Sequence, residues 1–168
     1  MIATMCGPLL EVVKTIQAQI NAYDRVLSRQ ARHDETARRL MTVPGVGAMT
    51  ALAYMSAIDH PHRFRRSADV GAYPGLTPRR HQSGEMDWTG RISKLGDGLS
   101  RTYLFEAASV LIGRIERWSS LKAGGVRLTK RVGMRKARVV AAARRMAVIL
   151  HCIWVDGTEF EWSKPAAA

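Results

Sequence analysis

The segment Arg79-Arg80-His81-Gln82-Ser83-Gly84 gathers the residue types that phosphoryl chemistry uses. Attack on a phosphodiester needs a hydroxyl or thiol nucleophile, positive groups on the phosphate, and a base or metal to deal with the proton. Ser83 is the candidate hydroxyl. Arg79 and Arg80 carry planar forks that match phosphate oxygens in pairs and stabilise charge growing on phosphorus. Gly84 lets a substrate backbone come close. A serine before a glycine is equally ordinary turn composition, and this segment alone does not separate the two roles. Ser93, in Gly90-Arg91-Ile92-Ser93-Lys94-Leu95-Gly96-Asp97, is the rival nucleophile, with Lys94 placed to bind phosphate or lower a hydroxyl pKa. Because Ser93 and Asp97 immediately precede a helical run, both are assigned helix-start roles.

A metal-dependent nuclease centre gathers several carboxylates from separate elements. The chain holds only 14 acidic residues, many beside arginines, and no spaced acidic set follows a strand pattern. Glu85 and Asp87 share the serine segment but read as surface turn acids. His60 and His62 flank a proline without helical ligand spacing, and Cys6 and Cys152 stand far apart. No metal ligand is assigned to this chain.

The elements that must position the segment are mostly helical. From Leu9 the apolar residues Leu9, Val13, Ile16, Ile20, Tyr23 and Leu27 are spaced 4, 3, 4, 3, 4, the a/d seam of a heptad repeat, with Pro8 at the first turn. An amphipathic helix packed on its own domain gives the same pattern. The narrow stripe and the Gln, Asn, Arg and Lys of the opposite face favour a helical arm over residues 1–34 that pairs chains into a homo-oligomer. The seam continues weakly through Ala31 into a second helix ending near Thr42.

Val43-Pro44-Gly45-Val46-Gly47 cannot continue a helix, whereas 48–58 returns to helix-forming composition, so a helix-hairpin-helix arrangement is expected. The amides of Gly45, Val46 and Gly47 could point at an anion such as a DNA phosphate. A glycine-rich connection between packed helices explains the residues as well. Ser67 reads as the N-cap of a short helix over 68–72, and 77–93 as a long basic loop or irregular hairpin. Two long C-terminal helices follow, over 97–118 and 132–155, joined by a linker over 119–125. Trp154, Phe160 and Trp162 are expected to fold back as a cap.

Charge narrows the partner class. Lys and Arg number 26 in 168 residues, for a net charge of +12, and residues 121–150 hold nine basic side chains and no acid. Such a surplus calls for a polyanion, of which nucleic acid is the commonest. Besides Arg79 and Arg80, the candidate contacts are Arg91, Lys94, Arg101, Lys130, Arg131, Arg135 and Lys136. No apolar run reaches the roughly 18 residues that cross a bilayer, and the N-terminus has no export signal, so a cytoplasmic protein is expected.

Four segments occur together in order: the hairpin within 40–58, Ala72-Tyr73-Pro74-Gly75-Leu76-Thr77-Pro78-Arg79-Arg80, Gln82-Ser83-Gly84, and Gly90 through Asp97. In this order and spacing they resemble the C-terminal half of insertion-sequence transposases related to the Piv DNA invertase, over roughly residues 35 to 155. Tyr73-Pro74 departs from the Phe-Ala common in relatives. The resemblance implies a DNA recombinase in which an N-terminal RuvC-like domain holds Mg²⁺ in an acidic tetrad, while a serine matching Ser83 attacks a DNA strand and a structured bridge RNA guides partner choice. It also implies a coiled-coil linker before this region, which matches the heptad arm. The RuvC-like tetrad has no counterpart in these residues, so Mg²⁺ is expected only with a partner domain. A nucleic-acid-binding, dimerising remnant without catalysis is the alternative.

Overall fold

The structure, a computed structural model, describes residues 2–124 and 135–162. Helix α1 (Ile2–His33) begins ahead of Pro8 and runs through it, so the proline lies beyond the first turn in which the sequence placed it. A proline inside a helix removes one N–H bond and crowds the carbonyl four residues back. Pro8 does so only in the second turn of an exposed helix. Asp34 ends α1 and caps α2 (Glu35–Leu40), its carboxylate accepting the Ala37 N–H at 2.7 Å.

Helix α3 (Ala48–Ile58) buries Ala51, Tyr54 and Ile58, one face at helical spacing. The Tyr54 hydroxyl donates to the Ala147 carbonyl at 2.8 Å, satisfying the one polar atom of a fully buried ring. Burial, and secondarily Cys152, pushes its phenol pKa up, so it stays a donor. A 3₁₀ turn (Pro61–Arg63) and α4 (Ser67–Val70) follow. Ser67 does not cap this helix, contrary to the sequence expectation; its N-cap is Arg66, with no side-chain bond. The buried His151 faces the Ser67 hydroxyl at 3.1 Å through Nδ1, and its Nε2 donates to the Pro61 carbonyl at 2.8 Å. A buried imidazole needs both partners, and so draws the hydroxyl away from capping.

Helix α5 (Gly98–Gly113) is capped by Asp97, whose carboxylate accepts the Ser100 N–H at 2.5 Å. It ends before the expected Trp118 because the backbone leaves helical geometry at Arg114. Helix α6 (Arg135–Asp156) packs along α5, and α3 packs on α5 as well as reaching α6 through Tyr54. Leu104, Ala107, Ala108 and Leu111 of α5 meet Ala143, Met146, Ala147 and Leu150 of α6 in a single buried cluster. Beyond α6 the chain folds back as expected. Phe160 donates its N–H to the Thr42 hydroxyl at 2.9 Å, Phe160 and Trp162 meet edge to face, and the Arg117 guanidinium lies 4.2 Å from the Trp162 ring centroid.

Of the two expectations for 77–93, a long loop or an irregular hairpin, the structure has the hairpin: β1 (Pro78–Ser83) and β2 (Met86–Ile92) pair antiparallel, with a register shift between Pro78 and Arg80. Ser83 pairs with Met86 and Gln82 with Asp87 across a two-residue turn in which Gly84 takes φ +55°. Its root is clamped to the helices. Gly75 and Gly96 both adopt positive φ, and a Cβ on either would stand 2.1 Å from the Leu95 carbonyl oxygen or 1.9 Å from that of Tyr73. Lys94 and Ser93 donate their N–H groups to Gly75 and Thr77, at 3.1 and 2.8 Å. One guanidinium nitrogen of Arg101, from the first turn of α5, donates to the carbonyls of Pro74 at 2.9 Å and Lys94 at 3.1 Å, joining both legs.

Gly96→Ala combines a backbone clash with an unfavourable φ and is expected to cost about 2–3 kcal/mol of unfolding free energy. Gly84→Ala, with nothing within 4 Å of its Cβ, meets only the conformational term, about 1 kcal/mol. Urea unfolding of the two variants checks the contrast; equal midpoints would contradict a clamped root.

Candidate functional site

Ser83 closes β1 at the tip of the hairpin and is exposed. Side chains alternate across a strand, and Arg80 and Ser83 stand three positions apart, so they lie on opposite faces. The Arg80 guanidinium is instead paired diagonally across the ladder with Asp87: Nε donates at 2.9 Å and one terminal nitrogen at 2.5 Å. The pairing holds the Asp87 carboxyl below its ordinary pKa and raises that of Arg80, in each case through the shared hydrogen bonds. Arg79 donates to the Ser93 carbonyl at 3.1 Å. The two guanidiniums expected to converge with the serine on one phosphate are therefore engaged along the ladder and at its root. Asp87, read from the sequence as a surface turn acid, is instead a strand residue that binds Arg80. Its signal was a strand register, legible only once 78–92 is seen as a hairpin.

The remaining candidates divide by location. Arg91 is exposed on β2, and Lys94 is exposed at the hairpin exit with φ +55°. Arg101 is half-buried and its guanidinium holds the two hairpin legs, in place of the open phosphate contact expected of it. Asp97 caps α5 as expected, whereas Ser93 does not start the helix and serves the hairpin root through its backbone N–H and carbonyl. Lys130 and Arg131 lie outside the described residues, and Arg135 and Lys136 open the last helix.

In the hairpin before α3, the three expected phosphate ligands behave differently. Gly45 takes φ +91°, and a Cβ there would stand 2.4 Å from the Ala107 carbonyl, so its glycine is required by the approach of α5. Val46 is buried and its N–H donates to the Val43 carbonyl at 3.0 Å, so that amide does not point outward as expected. Gly47 is exposed at the N-cap of α3, makes no side-chain cap bond, and has nothing within 4 Å of a built Cβ. The first-turn amides of α3 thus begin at an open, uncapped end, where an anion is favoured electrostatically.

Among the described residues no group of three or more His, Cys, Asp or Glu side chains is placed to hold a metal ion. Of the two hairpin acids, Asp87 is already committed to Arg80. The donors here do not fit a Mg²⁺ centre, and no step is assigned to one within this chain. No helix among the described residues is long and apolar enough to cross a membrane.

Comparison with known proteins places these features in a family. The model of the transposase IS116/IS110/IS902 family matches residues 37–124, from α2 through the α3 hairpin, the β-hairpin and α5. The transposase for insertion sequence element IS1111A of Coxiella burnetii is 33% identical over 131 residues, covering 77% of this chain and 36% of that protein. The transposase for insertion sequence element IS1328 of Yersinia enterocolitica is 34% identical over 146 residues, covering 84% and 42%. The pilin gene-inverting protein of Moraxella bovis is 26% identical over 123 residues, covering 73% and 38%. The chain spans roughly two fifths of the length of these relatives. With its clamped hairpin and α3 junction inside the matched stretch, the chain belongs to the IS116/IS110/IS902 transposase family.

Proposed function

We propose that this chain is the DNA-holding, serine-presenting part of a transposase. The observation that carries the reading is Ser83, exposed at the tip of a hairpin whose root is clamped to the helical core. In the proposed step the Ser83 Oγ attacks a DNA phosphorus. An Oγ–P bond forms, the P–O bond to the departing strand breaks, and that oxygen leaves as a hydroxyl after taking a proton. The serine proton goes to a base on a RuvC-like partner domain, which also supplies Mg²⁺. The open end of α3 at Gly47 and the exposed Arg91 and Lys94 hold the DNA backbone. The dense basic stretch over 121–150, with Lys130, Arg131, Arg135 and Lys136, extends the surface toward DNA or a structured guide RNA.

The arm pairs two chains. Leu9, Val13, Ile16, Ile20 and Tyr23 are 47–67% exposed, whereas Ala31 at the same seam is fully buried on the core. Burying such side chains stabilises by about 1.5–3 kcal/mol each, enough for five of them to rival the cost of association.

A second reading, a DNA-binding and dimerising piece without catalysis, is favoured by one observation: Asp87 already neutralises Arg80, the arginine nearer the serine.

The two readings differ in one experiment. Mixed with a full-length relative whose own serine is removed, the chain should form a covalent adduct with labelled DNA, retained on a denaturing gel and lost with Ser83→Ala. An adduct of equal yield from Ser83→Ala would refute the assignment. Arm pairing is tested separately by sedimentation equilibrium: the unmodified chain should be a dimer and Ile16→Asp a monomer, and a monomeric unmodified chain rules pairing out. Asp87 should titrate below the ordinary carboxylate range by NMR and return to it in Arg80→Gln. The ion pair should therefore persist as pH falls until that depressed pKa is crossed; a carboxylate resonance unmoved by Arg80→Gln would contradict the pairing.

A further inference from the structure

A groove runs along the C-terminal part of α1, lined by Asp24, Arg25, Ser28, Arg29, Arg32 and His33. Arg25, Arg29 and Arg32 recur at intervals of four and three and are all exposed. At roughly 100° per residue they fall on one side of the helix, opposite the seam of Leu9, Ile16 and Ile20. Pairing of the arms through that seam therefore leaves the arginine stripe uncovered.

None of the three guanidiniums is in an ion pair among the described residues. Lys14, higher on the same side, is paired with Glu11 at 2.8 Å, and Arg39 beyond α1 is paired with Glu35. Asp34, the next acid in the chain, has its carboxylate committed to capping α2. Only Asp24 flanks the stripe from within the groove. The negative C-terminal end of the helix accounts for cations in the last turn, Arg32 and His33. That effect fades within one turn, so it does not account for Arg25 and Arg29. A helix rise of about 1.5 Å per residue sets successive arginines about 4.5–6 Å apart along the axis, and arginine is the cation suited to phosphate oxygens.

From this stripe we infer that the arm carries a second DNA-contact surface, in which Arg25, Arg29 and Arg32 bind the phosphate backbone of duplex DNA. The inference rests on the reading that the chain holds DNA, and extends it to a surface separate from the hairpin and from α3. The contact is to the backbone alone and carries no base sequence. It aligns the duplex with the arm, so that the axis along which two chains pair also orients the DNA.

The test uses the full chain, a fluorescein-labelled 30-base-pair duplex and anisotropy over a salt series. Each phosphate neutralised contributes about 0.9 to the slope of log affinity against log salt. The triple variant R25Q/R29Q/R32Q should bind more weakly, with a slope shallower by about three times that amount. The matched R25K/R29K/R32K variant, which keeps the charges, should retain the slope. All three positions are exposed, and unchanged helicity by circular dichroism verifies that the variants fold. An unchanged slope and affinity in the glutamine variant would overturn the inference while leaving DNA binding intact. Absence of binding by the unmodified chain would instead remove the parent reading. A triple-variant defect seen with an RNA hairpin of equal length and absent with the duplex would overturn the assignment to DNA.

Discussion

The hairpin depends on the close approach of two backbone stretches at its root. Tyr73–Thr77 enters β1 and Ser93–Gly96 leaves β2, and the two legs touch at distances that only glycine permits at positions 75 and 96. Arg101 then donates to one carbonyl on each leg. A two-stranded ribbon is marginal by itself in water. Anchoring both legs to the first turn of α5 converts it into an extension of the helical core. The core in turn is held by the contacts of α5 with both α3 and α6, and by the glycine at position 45 that lets the turn before α3 lie against Ala107. Glycines often treated as flexibility markers act here as contact points.

This arrangement separates a braced root from an exposed tip. The clamped root is partly buried and tied by the hydrogen bonds of Arg101, Ser93 and Lys94, whereas the tip around Ser83 is exposed. Arg80 and Asp87 reinforce the ladder on the face away from the serine, and Arg79 ties β1 to the end of β2. Arg79 and Arg80 therefore brace the hairpin, and Arg91 and Lys94 of the same region are exposed. The apolar seam of the arm is exposed from Leu9 to Tyr23 and becomes buried only where Ala31 reaches the core.

Much of the helical architecture was legible in the residues. Val-Pro-Gly-Val-Gly broke α2 from α3, Asp97 marked the start of α5, and the apolar period of α6 pointed inward. The mostly helical class followed from these signals, and the family followed from motif order. The β-hairpin was less legible because no strict alternation of apolar and polar residues marks its strands, in keeping with the exposure of Arg79, Arg80, Gln82, Met86, Asp87 and Arg91. Arg101 looked like a phosphate ligand because its charge is visible in the sequence, while its carbonyl partners at Pro74 and Lys94 are set by tertiary approach. Ser67 was misassigned for a similar reason: the competing partner, His151, lies 84 positions away. At Gly45 packing against α5, and at Val46 burial and a bond to the Val43 carbonyl, decide which groups remain available.

Amide hydrogen exchange across residues 78–92 tests most directly whether Ser83 is held on an ordered element rooted in the core. A clamped hairpin requires that the ladder amides flanking the tip exchange far more slowly than in an unfolded peptide, and that Arg101→Ala removes this protection while α3 and α6 keep theirs. Exchange at unfolded-peptide rates in the unmodified chain, or protection unaffected by Arg101→Ala, would contradict it.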